Sequence, residues 1–126
     1  MFKPKAAFSG FSVDNLAEAK KFYTETLGLE LLDEEMGLQL KLPDGGLVFV
    51  YDKPDHQPAT YTMLNLVVED IDAAVKELEK LGVKSEHYEG MPQDPNGVAR
   101  GKQHNMGPDI AWFKDPAGNI LAVLED

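Results

Sequence analysis

Cysteine is absent from this chain of 126 residues. Without cysteine the chain can form no disulfide bond, no thiolate metal site and no cysteine nucleophile. Long apolar runs are absent as well, and residues 1–6 lack the apolar core of a signal peptide. We therefore predict a cytoplasmic protein that neither spans a membrane nor carries a secretion signal.

Positive charge is scarce, because 12 Lys and Arg residues stand against 22 Asp and Glu residues and leave a net charge of −10. Nucleic-acid binding depends on Lys and Arg that displace counterions from phosphates, so we predict no nucleic-acid partner. An excess of acidic residues favours solubility, and it also attracts cationic small molecules. Charge alone does not separate these two interpretations.

One pattern occurs twice along the chain. Its two copies read Val13-Asp14-Asn15-Leu16 with Leu27-Gly28-Leu29, and Val68-Glu69-Asp70-Ile71 with Leu81-Gly82-Val83. Each copy is too small to be stable alone, so we predict a single domain over residues 1–126 with pseudo-repeats at roughly 5–54 and 60–126. A pseudo-symmetric pair of this kind is expected to have its pocket where the copies meet.

Each copy predicts a strand, a helix and three more strands, and hence an α+β fold. Asn15 and Asp70 are N-cap residues that precede apolar residues at helical spacing, and Gly28 and Gly82 suit the helix ends. The predicted strands are residues 5–13, 29–32, 38–42 and 47–51 in the first copy, and 60–68, 83–88, 110–114 and 120–124 in the second.

A long loop at roughly 89–108 interrupts the second copy, with three prolines and four glycines between Gly90 and Pro108. Such loops often act as lids or binding loops, although a disordered segment or a short helix is also open. Arg100, Lys102 and His104 alternate within it. They are candidates for ligand contacts, with His104 as a possible general base, or they are simply solvated.

The repeated motifs resemble those of the vicinal oxygen chelate superfamily. The resemblance also includes Phe22-Tyr23 and Phe113-Lys114-Asp115-Pro116-Ala117-Gly118-Asn119. That superfamily contains glyoxalase I, extradiol dioxygenases, fosfomycin-resistance enzymes and bleomycin-resistance proteins. The resemblance spans essentially the whole chain and implies two tandem βαβββ units in a cupped, half-open mixed β-sheet barrel with the helices outside. It also implies a homodimer, and it leaves the reaction open.

In that superfamily a divalent metal is usually held by residues on the first and last strand of each unit. The matching first-strand positions here are Phe8 and, at the repeat offset of 63 − 8 = 55, Met63; the last-strand positions are Phe49 and Ala122. These side chains lack the imidazole nitrogen and carboxylate oxygen that divalent metals require. We therefore predict no metal and no other cofactor. A new metal site on the three histidines is the alternative, which no short ligand spacing supports.

The same positions predict an apolar, aromatic pocket. Alternation along strands places Asn65 on the face of Met63, where it is either a satisfied structural amide or a ligand contact. Trp112 occupies the place of a pocket-facing Tyr in fosfomycin-resistance enzymes, which also contact substrate through a Lys that matches Lys102. The predicted ligand-binding residues are Phe8, Gln39, Phe49, Met63, Asn65, Arg100, Lys102, His104, Trp112 and Ala122, and no catalytic residue is assigned.

The leading hypothesis is a non-catalytic protein, similar to bleomycin-resistance proteins, that binds or sequesters a small cationic or aromatic molecule. One alternative is a metal-dependent lyase, isomerase or dioxygenase of the same superfamily. Another is a metal-independent enzyme that uses Arg100, Lys102 or His104.

Overall fold

The computed structural model describes all residues of the chain, 1–126. It divides into two compact units, Met1–Pro58 and Ala59–Asp126, and the division falls between the two copies of the sequence repeat. Each unit contains a four-stranded mixed sheet and one α-helix, so the α+β fold with two tandem units is confirmed. Neither α-helix combines the length with the apolar composition that a bilayer crossing requires.

Unit 1 has the order strand, helix, strand, strand, strand. The sheet order is β1-β4-β3-β2, with β1 parallel to β4 and the other neighbours antiparallel. The elements are β1 Ser9–Val13, α1 Leu16–Lys21, β2 Glu30–Asp33, β3 Leu38–Lys41 and β4 Leu47–Asp52, and a π-helical turn at Phe22–Thr26 continues α1.

Helix α1 begins where the sequence predicts, because the Asn15 side chain accepts a hydrogen bond from the Glu18 N–H at 3.0 Å. The second half of the predicted helix is the π-helical turn instead. Within that turn Tyr23 is fully buried, and its ring centroid lies 5.5 Å from that of Phe11 on β1. Phe11 therefore packs toward the helix, as strand alternation predicts.

Unit 2 has the sheet order β5-β8-β7-β6, with β5 parallel to β8. Asp70 caps its helix by accepting a hydrogen bond from the Ala73 N–H at 3.1 Å. The elements are β5 Thr62–Val67, α2 Ile71–Lys80, β6 Ala99–Arg100, β7 Asp109–Lys114 and β8 Ile120–Glu125, with a 3-10 turn at Lys102–His104.

The predicted strand at 83–88 is wrong, because no strand forms there. Only the Glu86 N–H bonds to β7, at the Trp112 carbonyl, and a side chain binds two other backbone groups: Gln93 Oε1 accepts from the Tyr88 N–H at 2.8 Å, and Gln93 Nε2 donates to the Glu86 carbonyl at 2.9 Å. The fourth strand comes from the predicted loop instead, where Ala99 of β6 pairs with Ile110 of β7. The segment 89–108 thus contains a short strand and a 3-10 turn.

One face of each sheet forms the core of its unit. Along β3 and β4 buried residues alternate with less buried ones, and Leu38, Leu40, Val48 and Val50 are all at most 2% exposed. In unit 2 the corresponding buried residues are Ala111, Phe113, Leu121 and Val123. The opposite face of each sheet is left to carry the candidate site residues.

Candidate functional site

Three residues form a row across the sheet of unit 1 on the face opposite the core. Gly10 of β1 pairs in register with Phe49 of β4, and Phe49 pairs with Gln39 of β3. Residues directly opposite each other on neighbouring strands share a face, so Phe49 and Gln39 lie side by side. Both side chains are half-buried.

A cavity of about 270 Å³ opens on this face of unit 1. It brings together three predicted residues, Phe8, Gln39 and Phe49, and the exposed fraction of Phe8 is 70%. The lining residues that the sequence did not predict are Asp33, Glu35, Met36, Leu47 and Val48. Asp33 is there because it pairs in register with Gln39, and strand pairing of that kind is not visible in the sequence.

Two contacts orient the Phe49 ring at this cavity. The ring is close to parallel with that of Tyr51, with centroids 6.1 Å apart and an interplanar angle of 18°. Its other neighbour is Gly37, whose missing side chain leaves room for the ring at the bend between β2 and β3. Phe49 therefore presents a fixed aromatic surface to the cavity.

The charge at the cavity is negative and has no cationic partner within the protein. Neither Asp33 nor Glu35 forms an ion pair, whereas Glu34 between them binds Lys20, with 2.7 Å between Nζ and Oε2. The Gln39 amide makes no hydrogen bond within the protein, although it lies at the cavity. An aromatic wall beside free carboxylates is an arrangement that attracts a cation.

Unit 2 has an equivalent row on its own sheet. Asn65 of β5 pairs in register with Ala122 of β8, and Ala122 pairs with Trp112 of β7. This row has the same position in its sheet as Gly10, Phe49 and Gln39 have in theirs, and it places Ala122 where the sequence analysis matched it with Phe49. Asn65 is exposed and its amide makes no hydrogen bond within the protein, so it is not a satisfied structural amide.

Trp112 is half-buried and held at two points of its ring. Its Nε1 donates to Thr62 Oγ1 at 3.1 Å, and its ring meets Tyr88 edge to face with centroids 5.6 Å apart. A register shift between Thr62 and Leu64 places Thr62 opposite Ile120. Met63 therefore lies at a bulge, which strand alternation alone does not predict.

Arg100, a predicted ligand contact, is held by three carboxylates of unit 2. Its Nη2 lies 2.6 Å from Asp72 Oδ1 and 2.9 Å from Asp94 Oδ2, and its Nη1 lies 3.6 Å from Asp109 Oδ2. The hydrogen bond from Arg100 lowers the pKa of Asp72. Arg100 thus fastens the segment 89–108 to the start of α2 and to β7.

The other two predicted loop residues differ from each other. Lys102 Nζ lies 2.6 Å from Glu125 Oε2, and this hydrogen bond raises the pKa of Lys102. His104 is exposed in the 3-10 turn, and its ring makes no hydrogen bond. Of the three loop residues, His104 alone has a side chain without a partner in the protein.

The positions that would hold the metal of the related superfamily do not fit one. In unit 1 they carry the phenyl rings of Phe8 and Phe49, and in unit 2 the thioether of Met63 and the methyl group of Ala122. None of these side chains has a nitrogen or oxygen donor. Within either unit no group of three or more His, Asp or Glu residues is arranged to hold a metal ion.

The sequence profile of the Glyoxalase/Bleomycin resistance protein/Dioxygenase superfamily matches residues 7–123. No curated protein matches the chain.

Several solved structures are similar over nearly the full length. An integron cassette protein from the mobile metagenome of a Halifax Harbour sewage outfall is 25% identical, with 98% of this chain and 100% of that chain covered and a TM-score of 0.70. TnmS3, an antibiotic binding protein from Streptomyces sp. CB03234, is 26% identical, with 98% of both chains covered and a TM-score of 0.68. The fosfomycin resistance protein FosX from Listeria monocytogenes is alike in fold alone, at 14% identity, coverage of 99% and 95%, and a TM-score of 0.70.

Proposed function

Because the chain belongs to the Glyoxalase/Bleomycin resistance protein/Dioxygenase superfamily, we propose that it binds a small aromatic or cationic molecule and sequesters it without chemical change. The proposed place of binding is the cavity of unit 1. The observation that carries the proposal is the juxtaposition there of Phe8 and Phe49 with Asp33 and Glu35, whose carboxylates have no cationic partner in the protein.

Two interactions at the cavity would act on the same ligand. A cation over an aromatic face gains about 0.5–2 kcal/mol, and more when water is excluded. Free carboxylates at the same cavity attract the cation over a longer range. A volume of about 270 Å³ is near the lower end of ligand pockets, so it suits a small planar ring system.

Similarity to TnmS3 supports the proposal. That protein is described as an antibiotic binding protein, and it is 26% identical to this chain over 98% of both. The fold itself hosts both enzymes and binding proteins, so the likeness in fold does not decide between them. The support therefore comes from the combination of this relative with the cavity chemistry.

Unit 2 contributes proposed ligand contacts of its own. Asn65 has an exposed amide that is free to donate and accept hydrogen bonds, and the partly exposed Trp112 ring is available for stacking. Arg100 and Lys102 are left out of the proposed contacts, because carboxylates of the same unit already bind them.

Metal independence is part of the same proposal, and it is supported by the side chains at Phe8, Phe49, Met63 and Ala122. Elemental analysis of the purified protein tests it. Stoichiometric Ni, Zn, Fe or Mn would overturn it and favour a metal-dependent lyase, isomerase or dioxygenase. We also propose that the protein is a homodimer, which light scattering tests. We propose that it is located in the cytoplasm, which cell fractionation tests.

The deciding experiment compares ligands that differ in charge alone. Isothermal titration is done with a planar aromatic cation and with a neutral molecule of the same shape, at low and at physiological ionic strength. We expect the cation to bind more tightly, and the difference to shrink as salt screens the carboxylates. If a panel of aromatic cations and basic glycopeptides gives neither binding nor thermal stabilisation, the proposal fails.

A further inference from the structure

Unit 1 contains a hydrogen-bonded pair that the proposed function does not use. Ser12 Oγ lies 2.6 Å from His56 Nδ1, and both residues are half-buried. The two residues are 44 positions apart in the sequence, so their contact is tertiary and is not a local turn. A hydroxyl within hydrogen-bond reach of an imidazole nitrogen is the arrangement that nucleophilic catalysis requires of a nucleophile and its base.

The backbone positions both members of the pair. Ser12 lies on β1 and pairs in register with Tyr51 of β4, two positions along the strands from the pair of Gly10 with Phe49 and therefore on the same face. His56 lies in the turn after β4, where its N–H donates to the Lys53 carbonyl at 3.0 Å.

A second backbone bond fixes this turn to the end of β1. The Lys53 N–H donates to the carbonyl of Val13, the neighbour of Ser12, at 3.0 Å. The imidazole and the hydroxyl are thus brought together by the strand pairing and by the turn, and not by two flexible side chains alone.

The surface beside Ser12 indicates which class of substrate would reach it. Tyr51 and Phe49 present near-parallel rings on the same face of the sheet, with centroids 6.1 Å apart. An aromatic group that stacks there would have its substituents close to Ser12. We infer that Ser12 is a nucleophile activated by His56 and that the pair acts on activated esters of aromatic alcohols.

The reaction inferred for Ser12 and His56 is an acyl transfer. Ser12 Oγ bonds to the ester carbonyl carbon while its proton passes to His56 Nδ1, the bond from that carbon to the aryl oxygen breaks, and the departing oxygen takes the proton. Water then hydrolyses the acyl-serine: its oxygen bonds to the acyl carbon, the bond from that carbon to Ser12 Oγ breaks, the water proton passes through His56 to Ser12 Oγ, and a carboxylic acid leaves.

Covalent labelling of the unmodified chain tests the inference without any knowledge of the natural substrate. Diisopropyl fluorophosphate forms a stable Oγ–P bond with an activated serine as the P–F bond breaks and fluoride leaves with the proton. Peptide mass mapping then identifies the labelled residue. We expect the label on Ser12, with at most one label per chain.

Matched variants test the part of His56. His56→Gln should slow the labelling of Ser12 at least about tenfold, because a general base contributes about 10²–10⁴-fold. His87→Gln removes another imidazole, an exposed one in unit 2, and should leave the rate unchanged. The same order should hold for release of p-nitrophenol from p-nitrophenyl acetate.

Two results would overturn the inference: the absence of label on Ser12 in the unmodified chain, or an unchanged rate in the His56→Gln protein. The mapping needs no variant, so misfolding of a Ser12→Ala protein would not affect it. Labelling also does not depend on the cationic ligand, so the failure of this inference and the failure of the proposed function are separate results.

Discussion

Phe49 packs so closely on Gly37 that a Cβ atom added to Gly37 would lie 2.7 Å from Phe49 Cζ and 2.7 Å from the Val50 carbonyl oxygen. Gly37 also has a φ of +148°, which side chains rarely adopt. The orientation of the ring at the cavity of unit 1 therefore depends on the absence of a side chain at position 37.

Gly37→Ala should accordingly displace the Phe49 ring and weaken ligand binding at the cavity. We expect a loss of about 2–5 kcal/mol in the free energy of unfolding, from backbone strain together with overpacking. Gly45→Ala is the matched control, because Gly45 has a φ of +100° but no atom within 4 Å of an added Cβ. Urea denaturation of both variants should show the smaller loss, about 1–2 kcal/mol of strain, in the control.

Phe8→Ala should lower ligand affinity with little change in stability. The Phe8 side chain lines the cavity yet is 70% exposed, so its removal leaves no void in the core. Loss of one aromatic wall should weaken binding by about 0.5–1.5 kcal/mol, or roughly 2–10-fold. Phe2→Ala removes an equivalent ring that is 86% exposed and does not line the cavity. Titration should find the Phe2→Ala protein like the wild type, and equal losses in both would exclude Phe8 from the site.

The carboxylates at the cavity should determine the preference for charge. Asp33→Asn and Glu35→Gln should each weaken binding of an aromatic cation by roughly 2–10-fold at low salt, and leave a neutral ligand of the same shape unaffected. Glu34→Gln changes the net charge equally, but Glu34 binds Lys20 and does not line the cavity. Equal effects of all three substitutions would show that the total charge of the protein attracts the ligand and that the cavity does not.

Local sequence signals predicted most of the elements of the fold. Asn15 and Asp70 start their helices as N-cap residues, and the offset between the copies correctly aligned Gly10 with Asn65. The helix starts and the alignment of the copies follow from local residue patterns that occur in both copies, so they can be predicted from the sequence.

The features that the sequence did not predict depend on contacts between residues that are distant in the sequence. The segment 83–88 has the composition of a strand, but Gln93 binds its backbone groups. Asp33 reaches the cavity through its register with Gln39, and Arg100 is surrounded by carboxylates from three parts of unit 2. Contacts between residues distant in sequence have no local signal, so five of the eight residues that line the cavity were missed.

The cluster around Arg100 should make the stability of the protein depend on pH in the acid range. Arg100 lowers the pKa of Asp72 below its ordinary value of 3.8. The pKa of Asp94 is lowered as well, because hydrogen bonds from Val98 and Arg100 outweigh the burial that acts to raise it. The folded state then binds fewer protons than the unfolded state around these pKa values, so the contribution is full above about pH 4 and is lost as the pH falls below it.

Urea denaturation from pH 7 down to pH 2 measures this dependence. Asp72→Asn should flatten the acid part of the curve, since residue 72 can then no longer titrate. Arg100→Gln should cost about 1–2 kcal/mol at pH 7, because Asp94 and the buried Asp109 lose their cation while solvent screens part of the effect. Lys114→Ala is the control, as its ammonium lies 3.7 Å from Glu86 and is 48% exposed, and its loss should change stability by less than about 0.5 kcal/mol. An acid profile unchanged in both Asp72→Asn and Arg100→Gln would mean that the cluster does not fasten the segment 89–108 to its unit.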